Sequence, residues 1–285
     1  MSQVDLHVHT TASDGRYSPS EIVRRAAKSG LVLLAITDHD TVDGIPEALD
    51  AAKEFPTLEV VPGVEINTDV PTGEAHVLGY FIDYAHPELL AVLQDMRTSR
   101  QERAQKMVAK LADLGMPLEW EHVRQLASTD AIGRPHIAQA LLEKGYISTI
   151  REAFDRYISR DGPAYVERTK VTPLDATKLI LRAKGLPVLG HPLTIGDPEA
   201  MIRELAAGGL VGIEAYYGGY NEGEVARLLR FADTLGLIVT GGSDYHGLDE
   251  SAETKIGGVH VPMRAARRLL NLADDRSLRP RREAS

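Results

Sequence analysis

The sequence predicts an α/β fold, one barrel-like domain interrupted by an all-helical insertion. Three observations carry that expectation. Short apolar runs alternate with helix-patterned segments through the first hundred residues. Strand-like runs become scarce from about Pro87 to Thr169. The βα alternation then returns. A chain of 285 residues suits one large α/β domain or two modest ones and can bury a sizeable core.

Val4 to Val8 reads as a short strand. Pro19 to Ser29 places Ile22, Val23, Ala26 and Ala27 at helical spacing, with Ser18 as N-cap and Gly30 as the stop. Leu31 to Ile36 is a bounded apolar run, as expected of a buried parallel strand. Ile45 to Phe55 reads as a helix and Leu58 to Val61 as the next strand. A β-α-β-α-β opening implies a parallel sheet or barrel with helices outside. In the insertion, Met96, Ala104, Met107, Val108, Leu111 and Leu114 share one face of a helix beginning near Pro87 or Met96. Further helices are expected over Glu119 to Leu126, Pro135 to Glu143 and Thr149 to Tyr157. Beyond it, Leu186 to Leu189, Val211 to Ala215 and Leu237 to Thr240 read as strands. Leu174 to Ala183, Pro198 to Ala206 and Gly223 to Leu235 are the helices between them. The boundaries are 1–95 for the first barrel part, 96–168 for the helical insertion as a substrate-binding cap, and 169–285 for the second barrel part. Asp275 to Ser285, polar and arginine-rich, reads as a frayed tail.

The chain has 32 Lys and Arg against 41 Asp and Glu, a net charge of −9, ten histidines and no cysteine. The acidic balance argues against stable binding of long nucleic acid through a basic face. The absence of cysteine removes disulfides, thiolate metal sites and thiol nucleophiles. No apolar run approaches a membrane span, and no signal peptide is evident, so a cytoplasmic enzyme is expected. The charge is uneven. Residues 97–170 hold 13 basic and 10 acidic side chains, leaving that stretch at +3 and the remainder at −12.

Any metal site must therefore use His, Asp and Glu. His7 and His9 in Asp5-Leu6-His7-Val8-His9 are two residues apart, so on a strand they share a face. That pair alone leaves metal binding and structural burial about equally open. Asp14 follows in a turn-like Ser13-Asp14-Gly15. Thr37-Asp38-His39-Asp40, Pro62-Gly63-Val64-Glu65, Gly190-His191-Pro192 and Ser243-Asp244-Tyr245-His246 each follow an expected strand, and His76 lies in Glu74-Ala75-His76-Val77-Leu78. Strand C-terminal ends are where parallel barrels build their active sites. His86, His122 and His260 have no partner motif and read as surface or structural residues.

These motifs, in this order, resemble the polymerase and histidinol phosphatase (PHP) family of metal-dependent phosphoesterases. The resemblance runs from Val4 to about His246, apart from the insertion. It implies a distorted (βα)7 barrel related to the amidohydrolases, and nine ligands: His7, His9, Asp14, His39, Glu65, His76, His191, Asp244 and His246. It further implies two or three divalent ions, held by His7, His9, Glu65 and Asp244, by Glu65, His76 and His191, and by Asp14, His39 and His246. Imidazole and carboxylate donors favour Mn2+, with Zn or Fe as alternatives. A hydroxide bridging two ions would be the nucleophile, with Glu65, Asp244 and His191 as the catalytic set. The general acid is not identifiable.

Arg100, Arg103, Lys106 and Lys110 form one stripe of the insertion's first helix, either a solvated basic face or a phosphate clamp. Gly133-Arg134-Pro135-His136 opens another helix, as ordinary capping or as an anion site. Arg160, Lys170 and Tyr216 are weaker candidates. The insertion resembles the PHP subgroup that acts on nucleotides. This implies hydrolysis of the 3′-phosphate of adenosine 3′,5′-bisphosphate to AMP, with Arg134 and Arg103 on the non-reacting phosphate. A 5′-to-3′ exoribonuclease of short oligonucleotides and a histidinol-phosphate phosphatase share the expected metal site. A non-catalytic metal-binding scaffold and an amidohydrolase are the readings from other classes.

Overall fold

The computed structural model describes residues 2–70, 73–127, 132–167, 171–248 and 253–279. It divides into two compact units, Met1–Ala91 with Val171–Ser285, and Val92–Lys170.

The first unit holds seven strands in the order β1 (Val4–Asp5), β2 (Leu33–Ile36), β3 (Glu59–Val70), β4 (Gly73–Tyr80), β5 (Leu186–Leu189), β6 (Gly212–Tyr217) and β7 (Ile238–Gly242). Each strand bonds to its neighbour in sequence order. The backbone beyond β1 then bonds to β7, through Leu6 N to Gly241 O (3.1 Å) and Asp244 N to His7 O (2.9 Å). The sheet is thereby a nearly closed barrel. Its pairs are parallel except β3–β4 and β4–β5, which are antiparallel.

Two helices fill the first crossovers, α1 (Pro19–Lys28) and α2 (Ile45–Ala52). Ser18 caps α1 by accepting from Glu21 N. Its apolar stripe of Ile22, Val23 and Ala26 packs on Val8, Leu34 and Ile36 of the sheet, with Ala48 of α2 in the same cluster. Burial of such a stripe, more than helix propensity, holds a helix this short.

The strand expected over Leu58–Val61 is longer. β3 runs to Val70 and turns back through β4, so Glu65 lies inside a strand and not beyond one. No strand was expected at His76, where the alternation is broken by Val77 and Leu78, both buried. A strand covered on both faces loses the period-two signature.

In the second unit, α3 (Pro87–Asp113) begins in the first and continues into it. α4 (Trp120–Leu126), α5 (Arg134–Glu143) and α6 (Ile150–Ala153) follow, and α6 passes into a π-helical turn over Phe154–Ile158. This unit has its own core of Met107, Leu111, Val123, Ile137, Leu141 and Ile158. No described residue between Val92 and Glu167 lies in a strand.

The remaining barrel helices are α7 (Pro173–Arg182), α8 (Pro198–Ala207), α9 (Glu222–Thr234) and α10 (Met263–Asp275). No apolar pattern in the sequence marks α10, which buries only Leu269 and three alanines, Ala265, Ala266 and Ala273. The start of the expected frayed tail is also tied down. Arg279 donates to both carboxylate oxygens of Glu59 (2.9 Å each) and to Asp274 (2.7 Å). A bidentate guanidinium–carboxylate pair fixes orientation as well as distance. Residues beyond Arg279 lie outside those described.

Candidate metal centre

Four strand ends and one hairpin bring the chemistry to one end of the barrel. His7 and His9 leave β1 flanked on both sides. Thr37 N donates to Val8 O (3.0 Å) and His9 N to Tyr245 O (3.0 Å). His39 forms a bridge with Glu65, and Gly190 N donates to His76 O (2.9 Å). β4 runs antiparallel to its neighbours. Its early residue His76 therefore lies at the end where parallel strands finish. Asp40, His191 and Asp244 adopt positive φ of 52°, 24° and 54°. Such backbone costs on the order of 1–3 kcal/mol per residue and gathers at functional sites.

Two buried carboxylates shape the loops without joining the donor ring. Asp5 accepts from Ser243 N (2.9 Å), Ser243 Oγ (2.7 Å) and Gly257 N (2.8 Å). Asp38 accepts from Thr10 N (2.7 Å), Thr10 Oγ1 (2.8 Å) and Ser13 Oγ (2.6 Å). Each holds a segment that carries or flanks a candidate ligand. Neither aspartate is distinguishable as a loop anchor from its motif alone.

Glu65 is the centre of the cluster. Its Oε1 lies 2.8 Å from His76 Nδ1 and 3.1 Å from His191 Nε2. Its Oε2 lies 3.1 Å from His7 Nε2, 3.2 Å from His9 Nε2 and 3.0 Å from His39 Nδ1. Asp244 Oδ1 approaches His9 Nε2 at 3.0 Å and His7 Nε2 at 3.3 Å. Asp14 Oδ1 lies 3.3 Å from His246 Nε2. Three groups have ligand atoms within 4.8 Å of one another: His7, His9, Glu65 and Asp244; His39, Glu65 and His76; and His9, Asp14, His39 and His246. The first is the set expected from the sequence. The second contains His39 where His191 was expected, and the third adds His9. His191 reaches the cluster through Glu65 Oε1.

The electrostatics describe a site that needs positive charge. Burial opposes charging of His9, but its bond to Asp244 and its contact with Glu65 prevail and push its pKa up to about 10. Burial likewise opposes His7, which Glu214, Glu65 and Asp244 hold well above the ordinary imidazole value. Burial pushes His39 down to about 4. Despite their own burial, Asp244 and Glu65 are held well below the usual carboxylate range by the surrounding imidazoles. Among the described residues, His7 Nε2, His9 Nδ1, Asp14 Oδ1 and Glu65 Oε2 are buried without a hydrogen-bond partner. Buried polar atoms are almost always paired. Imidazole nitrogens and carboxylate oxygens that converge without a hydrogen-bond partner fit divalent cations of the Mn2+, Zn2+ or Fe2+ type.

A pH dependence follows. The surrounding carboxylates pull His7 and His9 toward their protonated forms, so an ion competes with protons for these nitrogens. Lowering the pH favours the protons and weakens the metal. Mn2+ affinity measured by calorimetry should rise from pH 6.5 to pH 8, by about thirtyfold where one proton is displaced and about a thousandfold where two are, with proton release in weakly buffered solution. A pH-independent affinity would exclude these histidines as ligands.

Residues outside the sequence motifs complete the centre. Glu214 in β6 is fully buried and bonds His7 Nδ1. Asn67 Nδ2 lies 3.1 Å from His39 Nδ1 and donates to Asp40 at 3.0 Å. Tyr216, a weak candidate from the sequence, is buried, whereas its neighbour Tyr217 donates to Asp244 Oδ2 (3.0 Å). The insertion candidates are placed within their own unit. Arg103 Nε donates to Val166 O (2.7 Å) and its guanidinium lies 5.1 Å from the Tyr165 ring. Lys110 donates to Tyr165 O (2.6 Å). Arg134 lies 5.8 Å from the Phe154 ring, and Gly133 N donates to His136 Nδ1 (3.1 Å). Arg100 lies on α3 with Arg103. Arg160 is exposed, and Lys170 lies outside the described residues. His122 pairs with Glu143 (2.8 Å).

A nearly closed α/β barrel that gathers imidazoles and carboxylates at one end has the make-up of a metal-dependent hydrolase. The family model for the PHP domain matches residues 5–164, and the chain belongs to that family. It is 34% identical over 257 residues to the 3′,5′-nucleoside bisphosphate phosphatase of Chromobacterium violaceum, covering 88% of this chain and 89% of the relative. It is 35% identical over 246 residues to a 5′-3′ exoribonuclease of Haemophilus influenzae, covering 85% and 89%. A solved Chromobacterium violaceum amidohydrolase with bound sulfate and no metal superposes with a TM-score of 0.81 at 30% identity, over 96% of this chain and 97% of that one.

Proposed function

We propose that the protein hydrolyses the 3′-phosphate of 3′,5′-nucleoside bisphosphates, converting adenosine 3′,5′-bisphosphate to AMP and phosphate. The observation that carries the reading is the 34% identity, over 88% of the chain, to a relative named for that activity. The donor cluster around Glu65 supports the phosphoester chemistry. In this reading His7, His9, Asp14, His39, Glu65, His76, His191, Asp244 and His246 hold two to three divalent ions, with Mn2+ first and Zn or Fe as alternatives. Such ions stabilise charge on phosphate oxygens and lower the pKa of an attacking water. Glu65 presents its two oxygens to different partners, Oε1 to His76 and His191 and Oε2 to His7, His9 and His39. That division suits a bridging carboxylate. Glu65, Asp244 and His191 form the catalytic set, and a cytoplasmic location belongs to the same proposal. Among the described residues, no helix is long and apolar enough to cross a membrane.

The helical stretch 96–168 is the proposed substrate-binding cap, with Arg100, Arg103, Arg134 and His136 recognising the second phosphate. Guanidinium contacts to phosphate are charge-assisted and are worth about 1.5–3 kcal/mol each. Arg134→Ala should lower the ratio of kcat/KM for bisphosphate over monophosphate by roughly ten- to hundredfold. An unchanged ratio would remove Arg134 from the reading.

A second reading, 5′-to-3′ exonuclease action on short RNA, is favoured by the 35% identity to the Haemophilus influenzae exoribonuclease. Phosphate release from adenosine 3′,5′-bisphosphate, measured beside nucleotide release from a 5′-phosphorylated oligoribonucleotide, separates the two. A rate on the oligonucleotide far above that on the bisphosphate would overturn the first.

A further inference from the structure

β6 contributes none of the nine proposed ligands, yet two of its side chains grip three of them. Glu214 is fully buried, and its oxygens lie 3.0 Å and 3.2 Å from His7 Nδ1. The same carboxylate accepts from His191 N at 2.8 Å. A carboxylate that accepts from Nδ1 fixes the imidazole tautomer and leaves the Nε2 lone pair available. That Nε2 faces Glu65 and Asp244. Tyr217 acts on the opposite partner. Its hydroxyl donates to Asp244 Oδ2 at 3.0 Å, while Oδ1 is the oxygen near His9 and His7. Its ring also lies 5.4 Å from the ring of His191.

Residues 214 and 217 would point to opposite faces of a regular strand. The pairing of β6 with β7 is interrupted between them. Glu214 pairs with Thr240 and Tyr216 with Gly241, so one extra residue is spent in β6. A bulge of this kind re-aims the side chains beyond it. It turns Tyr216 into the packed interior and brings Tyr217 to the side that Glu214 occupies.

We infer that β6 is the positioning strand of the metal centre. Tyr217 restricts Asp244 to a single oxygen directed at the ion site, and Glu214 orients His7. The inference rests on the metal reading above, and its test separates the two. Tyr217→Phe removes one hydroxyl from a half-buried ring and keeps the packing. Mn2+ alone is titrated by calorimetry into wild type and variant, and Co2+ is used to record visible absorption. The variant should bind Mn2+ about ten- to hundredfold more weakly. Its Co2+ bands should shift as Asp244 gains freedom to offer both oxygens. The melting temperature of the metal-free protein should not change, and kcat should fall more than KM rises. Glu214→Gln, which keeps the shape but loses the charge, should weaken Mn2+ in the same direction. Mn2+ affinity and Co2+ spectrum equal to wild type in Tyr217→Phe would overturn the role of Tyr217. A wild type that binds no Mn2+, Zn2+ or Fe2+ would overturn the metal reading and this inference with it.

Discussion

Asp244→Ala should abolish phosphate release from adenosine 3′,5′-bisphosphate, lowering kcat by roughly a thousandfold or more, beyond the ten- to hundredfold typical of a supporting residue. Asp244 Oδ1 is shared between His9 and His7. Those imidazoles hold the carboxyl well below its usual range even though burial opposes it. It is therefore a fixed negative charge at any pH where the enzyme would work. Without it, the centre loses one carboxylate donor and one negative charge beside His7 and His9, so divalent ions are held far more weakly. Because Asp244 has φ of 54°, alanine adds backbone strain. Asp244→Asn is the cleaner companion, since asparagine tolerates that conformation and removes only the charge. Both variants should keep a native circular dichroism spectrum and lose bound metal by elemental analysis. Wild-type rates in either would sink the proposed mechanism.

Gly242→Ala should damage the same centre from beneath. A Cβ at Gly242 would collide with His7 N and His7 Cβ and sit 2.9 Å from Asp5 Oδ1. Two of those are backbone or backbone-attached atoms at the seam where β7 meets the first strand, so no flexible side chain can swing away. Overpacking of this kind costs about 1–3 kcal/mol. The expected result is a lower thermal midpoint and, because His7 must move, a larger fractional loss of Mn2+ binding than of stability. An unchanged midpoint with unchanged Mn2+ affinity would show that the seam yields more easily than its geometry implies.

Much of the barrel was legible in the sequence because local rules govern its parts. Leu186–Leu189 is a bounded apolar run and is strand β5 with those limits. Ser18 with Pro19 marked the start of α1, where capping and the fixed proline φ act within a few residues. The β3–β4 hairpin was not legible, because a strand buried on both faces has no alternation to read. α10 was missed because its buried stripe is mostly alanine, which contributes little to a hydrophobic pattern.

The candidate site divides along the same line. The sequence by itself determined the donor chemistry. With no cysteine and ten histidines, any metal must meet nitrogen and oxygen, and the motifs that follow the strands name the residues. Only the tertiary structure decided which donors share a point. It set His39 beside Glu65 and His76, with His191 against the same Glu65 oxygen as His76, and added His9 to the group around Asp14. It also decided that Glu214 and Tyr217 support the centre, through a bulge that no local pattern in Gly212–Tyr217 announces. The physical reason is range. Residue type and capping act over a few positions of chain, whereas ligand geometry depends on the register and closure of strands that bring together residues as far apart as His9 and Asp244, 235 positions in the chain.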